Sequence, residues 1–240
     1  MPSFVSHMVM ANDVYNRLND KHIDLDDMIT YSLGGDLCKY AKCRYDSHHK
    51  DMDKFIYEMA NYIKDNSLMN DSHAMGVLYG HICHYVMDKT IHPLVRNVDK
   101  ACLKNKHNHT LIEIYYDNYL VNKRYHISKR KYLTKRILVG KKNDEVKRII
   151  DQVYLNIYDI DNVSKYYHFN LFLYKVLRNI YILLGDKLTN QLFGVNGFIK
   201  RNKQINLIMI NNDDLDSLYR LSVDMAYEYI KKINMYLKIS

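Results

Sequence analysis

Residues 80–93 read GHICHYVMDKTIHP and combine a helical apolar pattern with side chains that bind metals. The apolar spacing predicts a largely buried helix from about residue 73 to residue 91, which we expect to end before Pro93. His84, Asp88 and His92 recur at four-residue spacing, so they lie one turn apart on one face of that helix. His81 is expected near the same face.

A buried row of polar side chains needs partners, because removing unsatisfied polar groups from water is costly. One interpretation is a set of histidines in ordinary hydrogen bonds. The other is a metal site, since imidazole with carboxylate is a ligand set that zinc accepts. A second pair at the same spacing, His109 and Glu113, favours the metal interpretation.

The composition indicates an all-α protein. The chain has 240 residues, 48% of them hydrophobic, and only two prolines and eight glycines, which suits long helices with short turns. We expect one multi-helix domain over residues 1–240, with a metal-binding cleft between helices. Residues 1–122 form its metal-site half and residues 123–240 its helical scaffold, because the His and carboxylate clusters occur only in the first half.

No run of about 18 apolar residues occurs, so no membrane-spanning helix is expected. The first residues lack the basic and apolar pattern of a secretory signal, and the four cysteines form no CxxC pair. These features predict a cytoplasmic protein with free thiols.

The net charge of +8 favours an anionic partner, and basic residues concentrate in residues 123–142. This stretch is interpreted either as a solvated helix surface or as a contact for phosphates. The phosphates would belong to lipid head groups at a membrane surface or to nucleic acid.

Three other stretches carry candidate residues. His7 lies in the first turn of a predicted helix that Ser6 or Ser3 could cap. Gly34-Gly35-Asp36 predicts a tight turn where the backbone comes close to another group. His48 and His49 precede a further predicted helix, where one ring could reach a buried site.

These stretches resemble the zinc-dependent phospholipase C family in order along roughly residues 1–120. Residues 4–7, FVSH, resemble its N-terminal histidine motif, and residues 34–36, GGD, resemble its Gly-Pro-Asp turn with glycine in place of proline. Residues 79–93 resemble its central G-x-x-x-H-Y-x-x-D-x-x-x-H-P helix, and residues 109–113 its His-x-x-x-Glu pair.

The resemblance implies an all-α fold with two or three zinc ions. One zinc would be held by Asp36, His48 or His49, His84 and Asp88, with His49 preferred for its spacing to the next helix. A second would be held by His92, His109 and Glu113, and a third by His7 and Asp88. The family's third zinc also uses an aromatic N-terminal residue, whereas this sequence begins Met1-Pro2.

Such a site implies hydrolysis of a phosphodiester, with phospholipid giving diacylglycerol and a phosphorylated head group. Zinc would hold hydroxide for in-line attack on phosphorus, and Asp36 would be the general base. The alternatives are a zinc-dependent nuclease of related fold, a non-catalytic zinc-binding relative, and a helical protein without metal.

Overall fold

The computed structural model describes residues 4–38, 51–102, 108–135, 143–192 and 212–239, and within these ranges it contains helices and no strand. This confirms the all-α prediction. The helices are α1 (Phe4–Leu18), α2 (Leu25–Tyr31), a 3₁₀ helix (Gly34–Cys38), α3 (Met52–Asp65), α4 (Ser72–Ala101), α5 (Asn108–Tyr125), α6 (Lys129–Lys135), α7 (Asp144–Tyr158), α8 (Ser164–Leu192) and α9 (Asn212–Leu237).

Helix α4 lies at the centre, with α1, α2, α3, α5, α7, α9 and the 3₁₀ helix packed around it. Its N-terminus is capped by Asp71, whose carboxylate accepts from the backbone N–H groups of His73 and Ala74. Close packing with α2 depends on glycine in α4. A Cβ atom at Gly80 would lie 2.7 Å from the Met28 carbonyl oxygen, closer than a side chain tolerates.

The prediction that the central helix ends before Pro93 is wrong, because α4 continues to Ala101. Proline removes one backbone donor and leaves the Lys89 carbonyl without its usual helical partner. Pro93 and Lys89 both lie on the exposed side of α4, while Val95 and Val98 beyond them are buried. Burial of these side chains offsets the lost hydrogen bond. Because the helix continues beyond Pro93, His92 lies inside α4 and not at its end.

The first turn of α1 is held by a tertiary contact. Of the two predicted N-caps, Ser6 is wrong, because α1 begins at Phe4 and Ser6 lies inside it, and Ser3 lies outside the described residues. The Ser6 backbone N–H and Oγ each donate to Asp117 Oδ1 of α5, at 2.7 Å. These bonds satisfy an N–H that the helix leaves free, and they fix the position of His7.

The helices predicted for the second half are present as α7, α8 and α9. Helix α8 packs against the 3₁₀ helix, α6 and α7. Asn170 of α8 donates through Nδ2 to the Leu37 carbonyl oxygen at 3.1 Å, and the Tyr174 ring lies 5.5 Å from the Phe4 ring. The second half therefore supports the two segments that carry His7 and Asp36.

Candidate metal centre

The metal-type side chains of α4 lie on one face, with Asp88 between two histidines. Asp88 Oδ1 lies 3.1 Å from His92 Nε2, and Asp88 Oδ2 lies 3.5 Å from His84 Nε2. His84 Nδ1 lies 3.1 Å from the Ser32 carbonyl oxygen, so it can donate there and leave Nε2 facing the cleft. The spacing of four residues thus produces the cluster that it predicts.

Helix α1 adds His7 to this cluster. His7 Nε2 lies 3.3 Å from Asp88 Oδ1, and its ring stacks on His84 with 4.6 Å between centroids. Asp88 therefore contacts histidines from two helices, because Asp117 holds the start of α1 through Ser6.

The Gly34-Gly35-Asp36 turn brings Asp36 to the same place, which confirms the predicted close approach. Gly34 has φ +41°, and a Cβ atom there would lie 2.4 Å from His84 Cγ. Only glycine allows both the left-handed backbone and this contact. His7, Asp36 and His84 are buried, and each offers one ligand atom within 4.8 Å of the other two.

A second group combines His92 of α4 with His109 and Glu113 of α5. His109 Nε2 lies 3.0 Å from Glu113 Oε1, and the His92 and His109 rings stack with 5.6 Å between centroids. The three residues offer ligand atoms within 4.8 Å of one another. Asp88, in contact with His92, links this group to the first.

The pKa values in the second group reflect both burial and close contact between histidine and carboxylate side chains. Burial lowers the pKa of His92, but the hydrogen bond and charge of Asp88, with Glu113 and Asp36, outweigh it and raise that pKa overall. Burial raises the pKa of Glu113 despite the opposing effect of His109 and His92. Histidine and carboxylate side chains of this group therefore influence one another's pKa in opposite directions to burial.

The buried donor set fits a zinc ion. Among the described residues, Glu113 Oε2 and His7 Nδ1 are buried side-chain atoms without a hydrogen-bond partner. Such atoms are costly unless something else satisfies them. Imidazole nitrogens and carboxylate oxygens at this separation are ligands that zinc takes.

The structure brings seven of the eight predicted metal-site residues into one cleft. The remaining one, His49, and its alternative His48 lie outside the described residues. The grouping differs from the expectation in two respects, since His7 joins Asp36 and His84, and Asp88 contacts both groups without belonging to either. The roles of these residues as zinc ligands stay predictions. The seven residues are His7, Asp36, His84, Asp88, His92, His109 and Glu113.

His81 turns away from the cleft and is a core histidine. Its Nδ1 lies 2.9 Å from the Val77 carbonyl oxygen, and its Nε2 lies 3.1 Å from Tyr167 Oη. Burial lowers its pKa to about 4, so the ring is neutral at physiological pH. The expectation that His81 joins the metal-type residues is wrong, because its two ring nitrogens are taken up by the Val77 carbonyl oxygen and by Tyr167 of α8.

A third cluster was not expected from the sequence. His73 Nδ1 lies 2.5 Å from Asp27 Oδ2 and 3.4 Å from Asp24 Oδ2, where the N-termini of α2 and α4 meet. Asp24 also caps α2 by accepting from the Asp27 N–H. A D-x-x-D pattern at a helix start was the available signal, but its pairing with a histidine 46 residues away depends on the fold.

The fold and the cleft define a helical protein with a linked His and carboxylate centre for metal ions. The profile described as zinc-dependent phospholipase C matches residues 6–163, and the chain belongs to that family. The match includes all seven metal-type residues of the cleft. No curated protein and no solved structure matches the chain. Family membership supports a zinc-dependent, phospholipase C-like role.

Proposed function

We propose that this protein hydrolyses phospholipid at the phosphodiester bond, giving diacylglycerol and a phosphorylated head group. The observation that carries the proposal is the convergence of α1, the 3₁₀ helix, α4 and α5 on one buried cleft. Asp88 contacts His7, His84 and His92 there, so the two ligand groups form one centre.

The ligand groups would hold two zinc ions. His7, Asp36 and His84 would hold one, and His92, His109 and Glu113 the other, with Asp88 oriented toward both groups. When bound, zinc supplies Lewis acidity and a water of lowered pKa. Two contacts hold the ligands in position. Gly34 packs against the His84 ring, and Asp117 binds Ser6, the residue before His7.

Asp36 is the proposed general base. It lies almost fully buried on the 3₁₀ helix, beside His7 and His84. Water would attack phosphorus, its proton would pass to the Asp36 carboxylate, and the bond from phosphorus to the glyceryl oxygen would break. The departing oxygen would take up a proton to give diacylglycerol.

The proposal of a lipid substrate rests on the family to which the chain belongs. The apolar side chains beside the second group are almost fully buried, so they form the floor of the cleft. The cleft at this point is lined by Ser6, Met87, Asp88, Ile91, His92, Val95, Glu113, Tyr116, Leu120 and Leu215.

The basic stretch at residues 123–142 is partly committed to internal contacts. Lys123 pairs with Asp216, and Arg124 pairs with Asp13. Lys129 is buried with its Nζ 4.1 Å from the Tyr181 ring centroid. The exposed Arg130, Lys131 and Lys135 of α6 are available for lipid phosphates. The membrane contact and the cytoplasmic location stay predictions.

Substitution of Asp88 tests the proposal most directly. Asp88→Asn keeps the shape but removes the charge that faces three histidines, so we expect zinc content to fall and hydrolysis to drop by about 10³-fold or more. His73→Gln is the matched control, because its carboxylate partners lie outside the cleft. Full zinc content and full activity in Asp88→Asn would exclude this centre.

Substrate choice is tested with the zinc-loaded protein. We expect diacylglycerol from phosphatidylcholine or another phospholipid, and no cleavage of single-stranded DNA. Cleavage of DNA alone would establish the nuclease alternative. Stoichiometric zinc without hydrolysis of either substrate would indicate the non-catalytic relative.

A further inference from the structure

Helix α8 exposes a row of large apolar side chains to solvent. Phe172 is 60% exposed, and Leu183, about three turns further along, is 79% exposed. A row of large apolar side chains with such exposure is unusual on one helix. Their spacing of three or four residues places the set on one face. This α8 apolar face consists of Phe172, Val176, Ile180 and Leu183.

The opposite face of α8 is already packed, so the exposure is not relieved by rotating the helix. Tyr167, Asn170, Tyr174 and Tyr181 are buried on that side. Asn170 bonds the 3₁₀ helix, and Tyr174 contacts Phe4. A rotation that buried the α8 apolar face would break these contacts.

Positive charge surrounds the α8 apolar face. Lys165 lies in line with this face, Lys175 lies at its edge one turn after Phe172, and Lys187 is exposed just beyond Leu183. The single acidic residue of α8, Asp186, is engaged by the Arg130 backbone N–H. Helix α6 packs beside α8 and adds exposed Arg130, Lys131 and Lys135.

We propose that the α8 apolar face docks on an anionic lipid surface. Its aromatic and aliphatic side chains would enter the boundary between head groups and acyl chains, while the lysines contact lipid phosphates. A basic rim around an apolar face is complementary to anionic lipid. Two copies of this face would instead bring like charges together, so self-association is disfavoured.

The position of α8 relates this surface to the cleft. Its buried side contacts the 3₁₀ helix that carries Asp36 and the start of α1 that carries His7. The lipid surface would therefore lie about one helix diameter, ~10 Å, from the candidate centre. The inference rests on the proposed function, because a lipid surface would bring the substrate to the cleft. Binding to lipid can nevertheless be measured without hydrolysis.

The test is cosedimentation of the zinc-loaded protein with vesicles of phosphonate lipids, in which a P–C bond replaces the cleavable bond. We expect binding to phosphatidylglycerol-type vesicles at least about tenfold tighter than to phosphatidylcholine-type vesicles, and weaker binding at high salt. Phe172→Ser with Leu183→Ser should weaken binding by about tenfold or more, because two large apolar groups no longer enter the lipid.

The matched control replaces exposed apolar residues of α9. Leu221→Ser with Met235→Ser changes side chains that are 47% and 71% exposed, and we expect binding within about twofold of the parent. Melting temperatures of both double variants establish that they fold. Equal weakening in both, or no binding by the parent protein, would overturn the proposal. A parent dimer that the α8 substitutions dissociate would assign the face to a second copy.

A soluble short-chain phosphodiester separates this inference from the proposed function. The α8 double variant should hydrolyse it at the parent rate and lose activity only on vesicles. Vesicle binding through α8 without any hydrolysis would reject the proposed function and leave the inference standing. Hydrolysis of the soluble substrate without vesicle binding would reject the inference alone.

Discussion

Helix α4 carries two histidines, only three residues apart, in opposite circumstances, because one meets the core and the other meets the cleft. On the core side, His81 has a partner for each ring nitrogen and packs against Phe55 and Tyr31. On the cleft side, His84 and His92 contact Asp88 of the same helix, and His7 of α1 contacts Asp88 as well. His109 contacts Glu113 on α5, and all four N···O distances are 3.0–3.5 Å. His81 and His84 are equally buried.

The difference lies in what satisfies the buried polar atoms. Around His81 the protein supplies a carbonyl oxygen and a hydroxyl group, and burial keeps the ring neutral. In the cleft, His7 and Glu113 retain buried atoms without a partner among the described residues. A buried histidine therefore indicates a metal site only where several donors converge and the protein leaves some of them unsatisfied.

The largest expected effect comes from exchanging histidine for glutamine on each side of α4. We expect His84→Gln to weaken zinc binding by about 100-fold or more, since it removes a donor from the first group. His81→Gln should keep its zinc content, because both partners of the ring lie in the core. Metal analysis of the two purified variants after dialysis against limiting zinc decides the matter. Equal loss in both would remove the distinction.

A glycine substitution tests how the turn supports the cleft side. Gly34→Ala should destabilise the protein by about 3 kcal/mol and reduce zinc affinity, because the added Cβ meets the His84 ring and the backbone has φ +41°. Gly185→Ala is the control. Its φ of +72° is also strained. A Cβ atom there would lie 3.6 Å from the nearest atom, which belongs to Arg130 and not to a residue of the cleft. Denaturant unfolding and zinc content should separate the two, and zinc loss in Gly185→Ala would contradict this reasoning.

The smallest effect concerns the pH dependence of the core side. The pKa of His81 is about 4 in the folded protein because of burial, below the ~6.5 of an exposed histidine. As pH falls, His81 is therefore protonated in the unfolded chain before it is protonated in the folded protein. Its contribution to the free energy of unfolding is full above pH ~6.5 and decreases toward pH ~4. The loss at pH 5 should be about 2 kcal/mol.

His81→Gln should remove this contribution. We would measure urea unfolding of metal-free parent and variant from pH 7 to pH 4, which excludes proton competition for zinc. The stability difference between the two should shrink as pH falls. A difference that stays constant over this range would show that His81 titrates normally in the fold.

The fold class and much of the cleft follow from local patterns. Four-residue spacing places His84, Asp88 and His92 on one helix face, and it does the same for His109 and Glu113. The two adjacent glycines before Asp36 correctly predict a close backbone approach. Such features depend on helical geometry and backbone sterics, which a short segment carries within itself.

Other predictions failed because distant contacts outweighed local preference. Proline predicted the end of α4, but packing of the residues beyond it keeps the helix intact. Ser6 was expected as a cap and is instead bound by Asp117, 111 residues away. Asp117, one turn beyond Glu113, therefore anchors α1 rather than joining the second ligand group.

Local periodicity is enough to predict a helical protein with metal-type residues in register on two helices, since it sets which side chains share a face. Which faces meet depends on tertiary packing. This packing gives His84 and His81 different partners, joins His7 to Asp36, places Asp88 against histidines of both groups, and leaves the α8 apolar face exposed. The physical reason is that packing between elements far apart in the chain depends on the whole core, which no single segment encodes.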